Sequence, residues 1–366
     1  MGGGNGSGAA GAAAAAAGEA WAVPPCDERV CSALPLRVLV PVTAVCAALF
    51  LVGAAGNALT VLVVRAERGG RSTTSLYVGS MAVSDLLLLL GLPLDLYRLW
   101  RSRPWIFGAL LCRLSHFVAE GCTYCTALHI AALTAERYLA VCFPLKAKVV
   151  ATKRRAKAVI AALWAVALLS AAPFLFLVGL EPPAAGNRSD LGHECKPTAA
   201  AQESGLLGAM FWVTTAYFVL PVVCLHVLYG FVGRRLWSSE LQTRGPRASA
   251  RQRGQRHTVR LLAVVVLAFV ICWLPFHIGR IIFINTQDTK MMFFSQYFNI
   301  FAFQLFYLSA SINPILYNLV SKKYRAAAYK LLLPHRSGQR AFTVTRDTGG
   351  CTETSASIRN EYITTF

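Results

Sequence analysis

Apolar residues run along this chain in seven long blocks: residues 38–64, 76–99, 110–141, 158–180, 207–232, 259–284 and 298–319. Between the blocks the chain turns polar or carries Gly and Pro, which punctuate regular structure. A helix needs about 20 predominantly apolar residues to cross the hydrocarbon core of a bilayer, and every block is long enough. One such block is also what a buried soluble helix looks like; seven in succession predict an all-α membrane protein, a seven-transmembrane helix bundle. After the seventh block, residues 321–333 alternate basic and apolar positions at helical spacing. That is the pattern of a short amphipathic helix lying on the membrane surface. The expected organisation is an N-terminus over 1–35, the bundle over 36–320, the amphipathic helix over 321–333 and a tail over 334–366.

Composition supports a membrane solvent. Hydrophobic residues are 55% of the chain, charged residues 14%, and the mean hydropathy is +0.50, where a soluble domain carries about 25% charged residues. A net charge of +19 would suit nucleic acid if it were spread over one face, but its distribution excludes that reading. The connection 146–157 holds Lys146, Lys148, Lys153, Arg154, Arg155 and Lys157 and no acid. The connection 234–260 holds eight Arg against Glu240. Arg65, Arg68 and Arg71 follow block one; Lys322, Lys323 and Arg325 follow block seven. Seven crossings put all four clusters on one side, and excess Lys/Arg marks the cytoplasmic side. The N-terminus is therefore expected outside a multi-pass protein of the plasma membrane, with basic loops able to touch anionic lipid. The second outer connection is acidic by contrast, with Glu181, Asp190, Glu194 and Glu203. The first departs: Arg98, Arg101 and Arg103, beside Asp95, read as exposed residues of a solvated bend or a ligand-facing rim.

The first 25 residues are Gly/Ala-rich without a basic leader, so they read as a largely disordered tail rather than a cleaved signal. Asn5-Gly-Ser and Asn187-Arg-Ser are N-glycosylation acceptors on the outer side. Of eleven cysteines, six lie in or at the ends of blocks and read as small apolar packers. Cys26, Cys31, Cys112 and Cys195 face the oxidising outside, where three connectivities are open. A local Cys26–Cys31 bridge is the economical one for that pair. His116, His129, His226, His257 and His277 have no metal-ligand spacing, and no nucleophile–base set stands out, so the chain does not read as an enzyme. It shows no inverted repeat of the transporter kind.

Ionised residues near a bilayer centre cost about 2.5–3.5 kcal/mol each and persist where they pair or act. Asp85 in block two has Asn57, Thr126, Ser309 and Asn313 at matching polar positions in blocks one, three and seven. Hard oxygen donors of this kind suit a sodium ion; a hydrogen-bonded network with water is the alternative. Glu120 in block three and Arg280 in block six are expected to pair across the bundle. Pro275 and Pro314 each remove a helix hydrogen bond, and Phe269 and Trp273 stand just before Pro275 as a bulky pivot.

Glu136-Arg137-Tyr138, Cys272-Trp-Leu-Pro275 and Asn313-Pro-Ile-Leu-Tyr317, in that order on blocks three, six and seven, resemble the rhodopsin-like G-protein-coupled receptors. Met81-Ala-Val-Ser-Asp-Leu, Pro93-Leu-Asp-Leu-Tyr-Arg-Leu-Trp100, Glu120-Gly-Cys-Thr-Tyr124 and Cys272-Trp-Leu-Pro-Phe-His277 are similar to the ghrelin/motilin receptor subfamily. The resemblance implies a signalling receptor for a peptide hormone and a Cys112–Cys195 bridge across the pocket mouth. It implies a sodium site that favours the inactive state. The ligand would be framed by Asp95, Arg98, Glu120, Phe276, His277, Arg280 and Phe306, with Ile281 on the same wall. Glu136 would hold Arg137 until activation frees it for the inserted helix of a G protein, with Tyr317 as its new partner. Gq/11, phospholipase C, calcium release and gut motility follow from the same resemblance, as do receptor kinases and arrestin on the Ser/Thr-rich tail. Ala119 stands where amine receptors of the family carry Asp, and residues 298–319 hold no Lys for retinal.

Overall fold

The computed structural model describes Ser32 and residues 34–66, 72–101, 103–182, 192–242, 263–264, 266–282, 289–320 and 322–332. The described residues form long helices: α1 (Leu36–Ala66), α2 (Thr73–Trp100), α3 (Gly108–Cys142), α4 (Lys153–Ala171), α5 (Leu206–Gln242), α6 (Val266–Ile282) and α7 (Thr289–Val320). A shorter α8 (Lys322–Leu332) follows. Side-chain caps set two of the starts. Ser72 accepts from Ser75 N at 3.1 Å and Thr152 from Arg155 N at 3.4 Å, each satisfying a backbone donor left open at a helix N-terminus.

The fourth block departs from expectation. Its helix stops at Ala171, ahead of Ala172-Pro173. Pro has no N–H to donate to the preceding turn, so the hydrogen-bond ladder breaks there. A single turn (Phe174–Leu177) follows, then a strand β1 (Val178–Glu181) pairs antiparallel with β2 (Glu194–Pro197), Leu180 opposite Cys195. The apolar Val178 and Leu180 read as the end of a span, yet they belong to a hairpin across the outer end. Cys195 on β2 is bonded to Cys112 at the start of α3, so the structure selects that pairing. Cys26 and Cys31 lie outside the described residues, as do Asn5 and Asn187.

Five described helices are long and apolar enough by composition to cross a membrane: α1, α2, α4 with its following turn, α5 and α7. α6 is apolar over a shorter described length. α3 carries Arg113, Glu120, Glu136 and Arg137 and is more polar for a positional reason. It packs against α2, α4 and α5 at once, so Glu120, Glu136 and Arg137 face protein rather than lipid, while Arg113 near its outer end is exposed. Large apolar residues such as Leu51, Leu90, Leu169 and Trp212 are exposed on the outside of the bundle, the arrangement a lipid solvent rewards. Inside, Met81, Leu88, Leu89, Phe218, Leu225, Phe269, Trp273 and Phe306 form one continuous core. Gly53 lets α1 approach α7 and α2 closely: a Cβ there would come within 2.5 Å of Ser311 Oγ and 2.8 Å of Leu89 Cδ1, and small residues are what membrane helices use at such crossings. α8 is tied back to α1 by the Tyr324 and Thr60 hydroxyls, 2.8 Å apart.

Candidate functional site

The end of the bundle that carries the disulfide, outer by the charge argument, opens into a cavity of about 290 Å³ between α2, α3, α6 and α7. Two ion pairs stand in its wall. In the first, Arg280 of α6 donates from Nη2 to Glu120 Oε1 of α3. Thr214 Oγ1 of α5 donates to Glu120 Oε2 at 3.3 Å, and the Tyr124 hydroxyl lies 2.8 Å from Thr214 Oγ1. The Arg280 guanidinium lies over the Phe276 ring at 4.4 Å and the Phe211 ring at 5.2 Å. Glu120 is buried, its side chain 9% exposed. A charge so placed persists because a cation and two hydroxyls surround it.

The second pair sits on α2. Arg98 Nη1 meets Asp95 Oδ1 at 2.8 Å, one helical turn away. The Tyr307 hydroxyl of α7 donates to Asp95 Oδ2 at 2.6 Å. Arg98 Nη2 donates to Ser115 Oγ of α3 at 2.7 Å, and both its terminal nitrogens lie near the His116 ring. Its guanidinium stands 4.9 Å from the Trp105 ring centre. Arg98 thus ties α2 to α3 under the hairpin, and its partner Asp95 adds α7. This corrects the expected rim of exposed arginines. Arg98 turns inward, Arg103 pairs with Glu194 of β2 at 3.3 Å, and Arg101 is only half-exposed. Arg98 and Arg103 thus each meet an acid, and Arg98 an aromatic face as well.

Of the expected pocket residues, Asp95, Arg98, Glu120, Phe276, Arg280 and Phe306 line the cavity. His277 is not among the lining residues: its ring stacks on Phe218 at 4.5 Å, beside Trp273 and Phe276. Ile281 also stands away from the lining, on an exposed face of α6. The helical turn explains both, because residues next to Phe276 and Arg280 point about 100° from them. Ser115, His116, Asn299, Phe303 and Tyr307 line the cavity without having been expected. Helical spacing was the available signal: His116 lies one turn before Glu120, and Asn299, Phe303 and Tyr307 share the face of Phe306. The arrangement offers aromatic walls and four charges in two neutral pairs. A ligand cation can compete with Arg280 for Glu120, and a ligand anion can compete with the carboxylates for the guanidinia.

Below the cavity, Trp273 is packed against Phe269 at 6.0 Å and Phe306 at 5.0 Å. Pro275 lies within α6 and Pro314 within α7. Deeper still, Asn313 Nδ2 donates to Asp85 Oδ2 at 2.9 Å. The other expected members bond elsewhere. Asn57 Nδ2 donates to the Gly53 and Ala310 carbonyls, Thr126 lies 3.2 Å from Ser84 Oγ, and Ser309 donates to the Phe306 carbonyl. A void of about 10 Å³ lies among Thr126, Ser309, Asn313, Phe269 and Trp273, roughly one water-sized sphere.

At the inner end Arg137 Nη2 meets Glu136 Oε1 at 2.8 Å, and Thr73 at the start of α2 donates to the same oxygen. Tyr138 lies edge-on to Phe143, 5.9 Å away. The Tyr317 side chain lies outside what is described. The three motif regions therefore stack along one path: charge pairs, aromatic pivot with polar network, inner ion pair.

Residues 56–317 match the family described as 7 transmembrane receptor (rhodopsin family). The human motilin receptor is 57% identical, with 92% of this chain and 94% of that protein covered. Growth hormone secretagogue receptor type 1 of Oryctolagus cuniculus is 50% identical over the same shares. Human neurotensin receptor type 1 is 38% identical, with 78% of this chain and 73% of that protein covered.

Proposed function

The chain belongs to the rhodopsin family of seven-transmembrane receptors and to its motilin/ghrelin receptor subfamily, and on that premise we propose that its ligand is the peptide hormone motilin. The observation that carries this is the higher identity to the motilin receptor than to the secretagogue receptor over the same share of the chain. A ghrelin-type ligand, or another peptide of the same kind, is the second reading. The peptide's apolar N-terminal end enters the outer cavity among Phe276, Phe303 and Phe306. Its free amine takes Glu120, and Asp95, Arg98 and Arg280 orient it.

Binding shifts the bundle only by the difference in affinity between its two states. Repacking at Arg280 is passed through Phe276, which lies over Trp273 less than one turn away, and α6 swings at Pro275. Opening the inner end separates Glu136 from Arg137, which then meets Gq/11; phospholipase C and calcium release in gut tissue follow, and receptor kinases and arrestin end the signal at the tail. The N-terminus with its acceptor Asn5, and the second outer connection with Asn187, face outward from the plasma membrane.

By donor type the Asp85 carboxylate and the Thr126 and Ser309 hydroxyls suit a sodium ion, and Asn313, which bonds Asp85, lines the water-sized void together with both hydroxyl residues. An ion there supplies the positive charge that a lone buried carboxylate lacks. Sodium is expected to lower agonist affinity in wild-type membranes by at least about fivefold, and Asp85→Asn to abolish that dependence. Sodium sensitivity that survives the substitution assigns the network to water alone.

Calcium release in cells expressing the chain tests the ligand. Motilin is expected to act at a concentration at least about tenfold below acylated ghrelin. The reverse order moves the chain to the ghrelin-type reading, and silence to both with receptor at the surface rejects the pair.

A further inference from the structure

The Glu120 oxygen that does not meet Arg280 is reached by a chain of hydroxyls and rings from α5, α3 and α4. Tyr124 lies one turn along α3 from Glu120, so the two side chains share a face, and it is fully buried. Glu120 and Arg280 line the cavity, whereas Tyr124 and Thr214 do not. The Tyr124 ring stacks on Tyr217 of α5, with centroids 4.1 Å and planes 12° apart. The Tyr217 hydroxyl in turn lies 2.6 Å from Ser170 Oγ of α4, and Cys125, Ala167 and Ala171 pack around the same rings. The Tyr124 ring is therefore held from α4 and α5 together.

The count of hydrogens decides what its hydroxyl does. Thr214 Oγ1 carries one hydrogen and has two pure acceptors within reach, the Met210 carbonyl at 3.0 Å and Glu120 Oε2 at 3.3 Å. The carbonyl is nearer and belongs to the same helix, so an unaided threonine bonds back to it, as Thr215 does to the Phe211 carbonyl at 2.8 Å. The Tyr124 hydroxyl stands 2.8 Å from Thr214 Oγ1. Donating there, it polarises the threonine hydroxyl and strengthens the bond that hydroxyl gives. The charged carboxylate gains more from this than the neutral carbonyl.

We propose that Tyr124 is a positioning residue for the ligand amine: its hydroxyl commits Thr214 to Glu120 Oε2 and keeps the carboxylate aimed at the cavity when the amine displaces Arg280 from Oε1. This rests on the reading that Glu120 receives the amine. Without the second anchor, a carboxylate released by Arg280 is free to turn about its side-chain torsions, and the amine must order it as well as bind it. Tyr124 thus acts on recognition through Thr214 from outside the cavity.

Binding of motilin and of N-acetylated motilin to the full-length receptor in membranes tests this. Tyr124→Phe removes the hydroxyl and keeps the stacked ring. It is expected to weaken the free-amine peptide about tenfold and the acetylated peptide less than about twofold. Thr214→Val should do the same, and Thr214→Ser should retain wild-type affinity for both. Tyr124→Phe added to Thr214→Val should cost nothing further, because the first acts through the second. A Tyr124 that only supports the fold weakens both peptides alike, or adds its loss to that of Thr214→Val; either result overturns the proposal. A wild-type preference for the free amine that Glu120→Gln removes and Tyr124→Phe preserves overturns it while leaving the amine reading in place. A wild type that binds the two peptides equally overturns the amine reading and the role of Tyr124 with it. Surface labelling identifies the variants that fold. If Tyr124→Phe is not among them, fluorotyrosine incorporated at position 124 carries the test: as a stronger donor it should raise the preference for the free amine by about twofold, and an unchanged preference overturns the proposal.

Discussion

Glu120→Gln is expected to lower the potency of the peptide by about 30-fold or more while surface expression stays within about twofold of wild type. The expectation rests on what the carboxylate does now. It holds Arg280 and Thr214, joining α3, α6 and α5 in a poorly hydrated place. Truncating one partner of such a pair typically costs 2–5 kcal/mol in binding, much of it from leaving the other charge unpaired. Two causes then compete: loss of a direct anchor for the ligand amine, and loss of a structural brace. N-terminal acetylation of the peptide separates them. If Glu120 takes the amine, acetylation weakens the wild type strongly and the variant hardly at all, since the interaction is already gone. If acetylation weakens both equally, the pair is a brace only, and the amine must be received elsewhere, with Asp95 the remaining cavity carboxylate.

The second large effect is expected at Arg98. Arg98→Ala should reduce potency by about 100-fold and also lower the amount of receptor at the surface. Its guanidinium meets Asp95, Ser115 and the Trp105 face, beside the disulfide that holds β2. Removing it leaves Asp95 with the Tyr307 hydroxyl alone among its described partners. Lysine should not restore function, because a single ammonium cannot bridge two partners and stack on a ring as a planar fork does. The double variant Asp95→Asn with Arg98→Gln should lose less than the two single changes added together, since no unpaired charge remains. Additive losses, measured by radioligand binding and surface labelling, would place the two residues in separate roles.

How much of this was legible in the chain follows from length scales. The seven blocks were readable because a bilayer imposes about 20 apolar residues on every crossing, a demand far stronger than local propensity. The expected inner side is assigned from the gathering of Lys and Arg, which insertion favours there. Glu120 and Arg280 could be paired from sequence because two lone opposite charges at similar depth have few other partners. Arg98 shows where this fails. Near the outer end a residue can turn to solvent or to the bundle at similar cost, and Arg98 found Ser115 and Trp105, residues whose proximity no spacing on α2 reveals. His277 failed by a fraction of a helical turn.

The hairpin β1–β2 failed for a different reason. Val178 and Leu180 are as apolar as any membrane residue, so hydropathy alone carries them into the fourth block, and Pro173 is a stop signal only when the chain beyond it has somewhere to pair. The number of crossings, their direction and the presence of buried charge pairs thus follow from composition along one dimension, because the membrane acts on each segment separately. Which charge faces which and where the strand replaces the helix depend on contacts between segments far apart in the chain, and those exist only once the helices have packed.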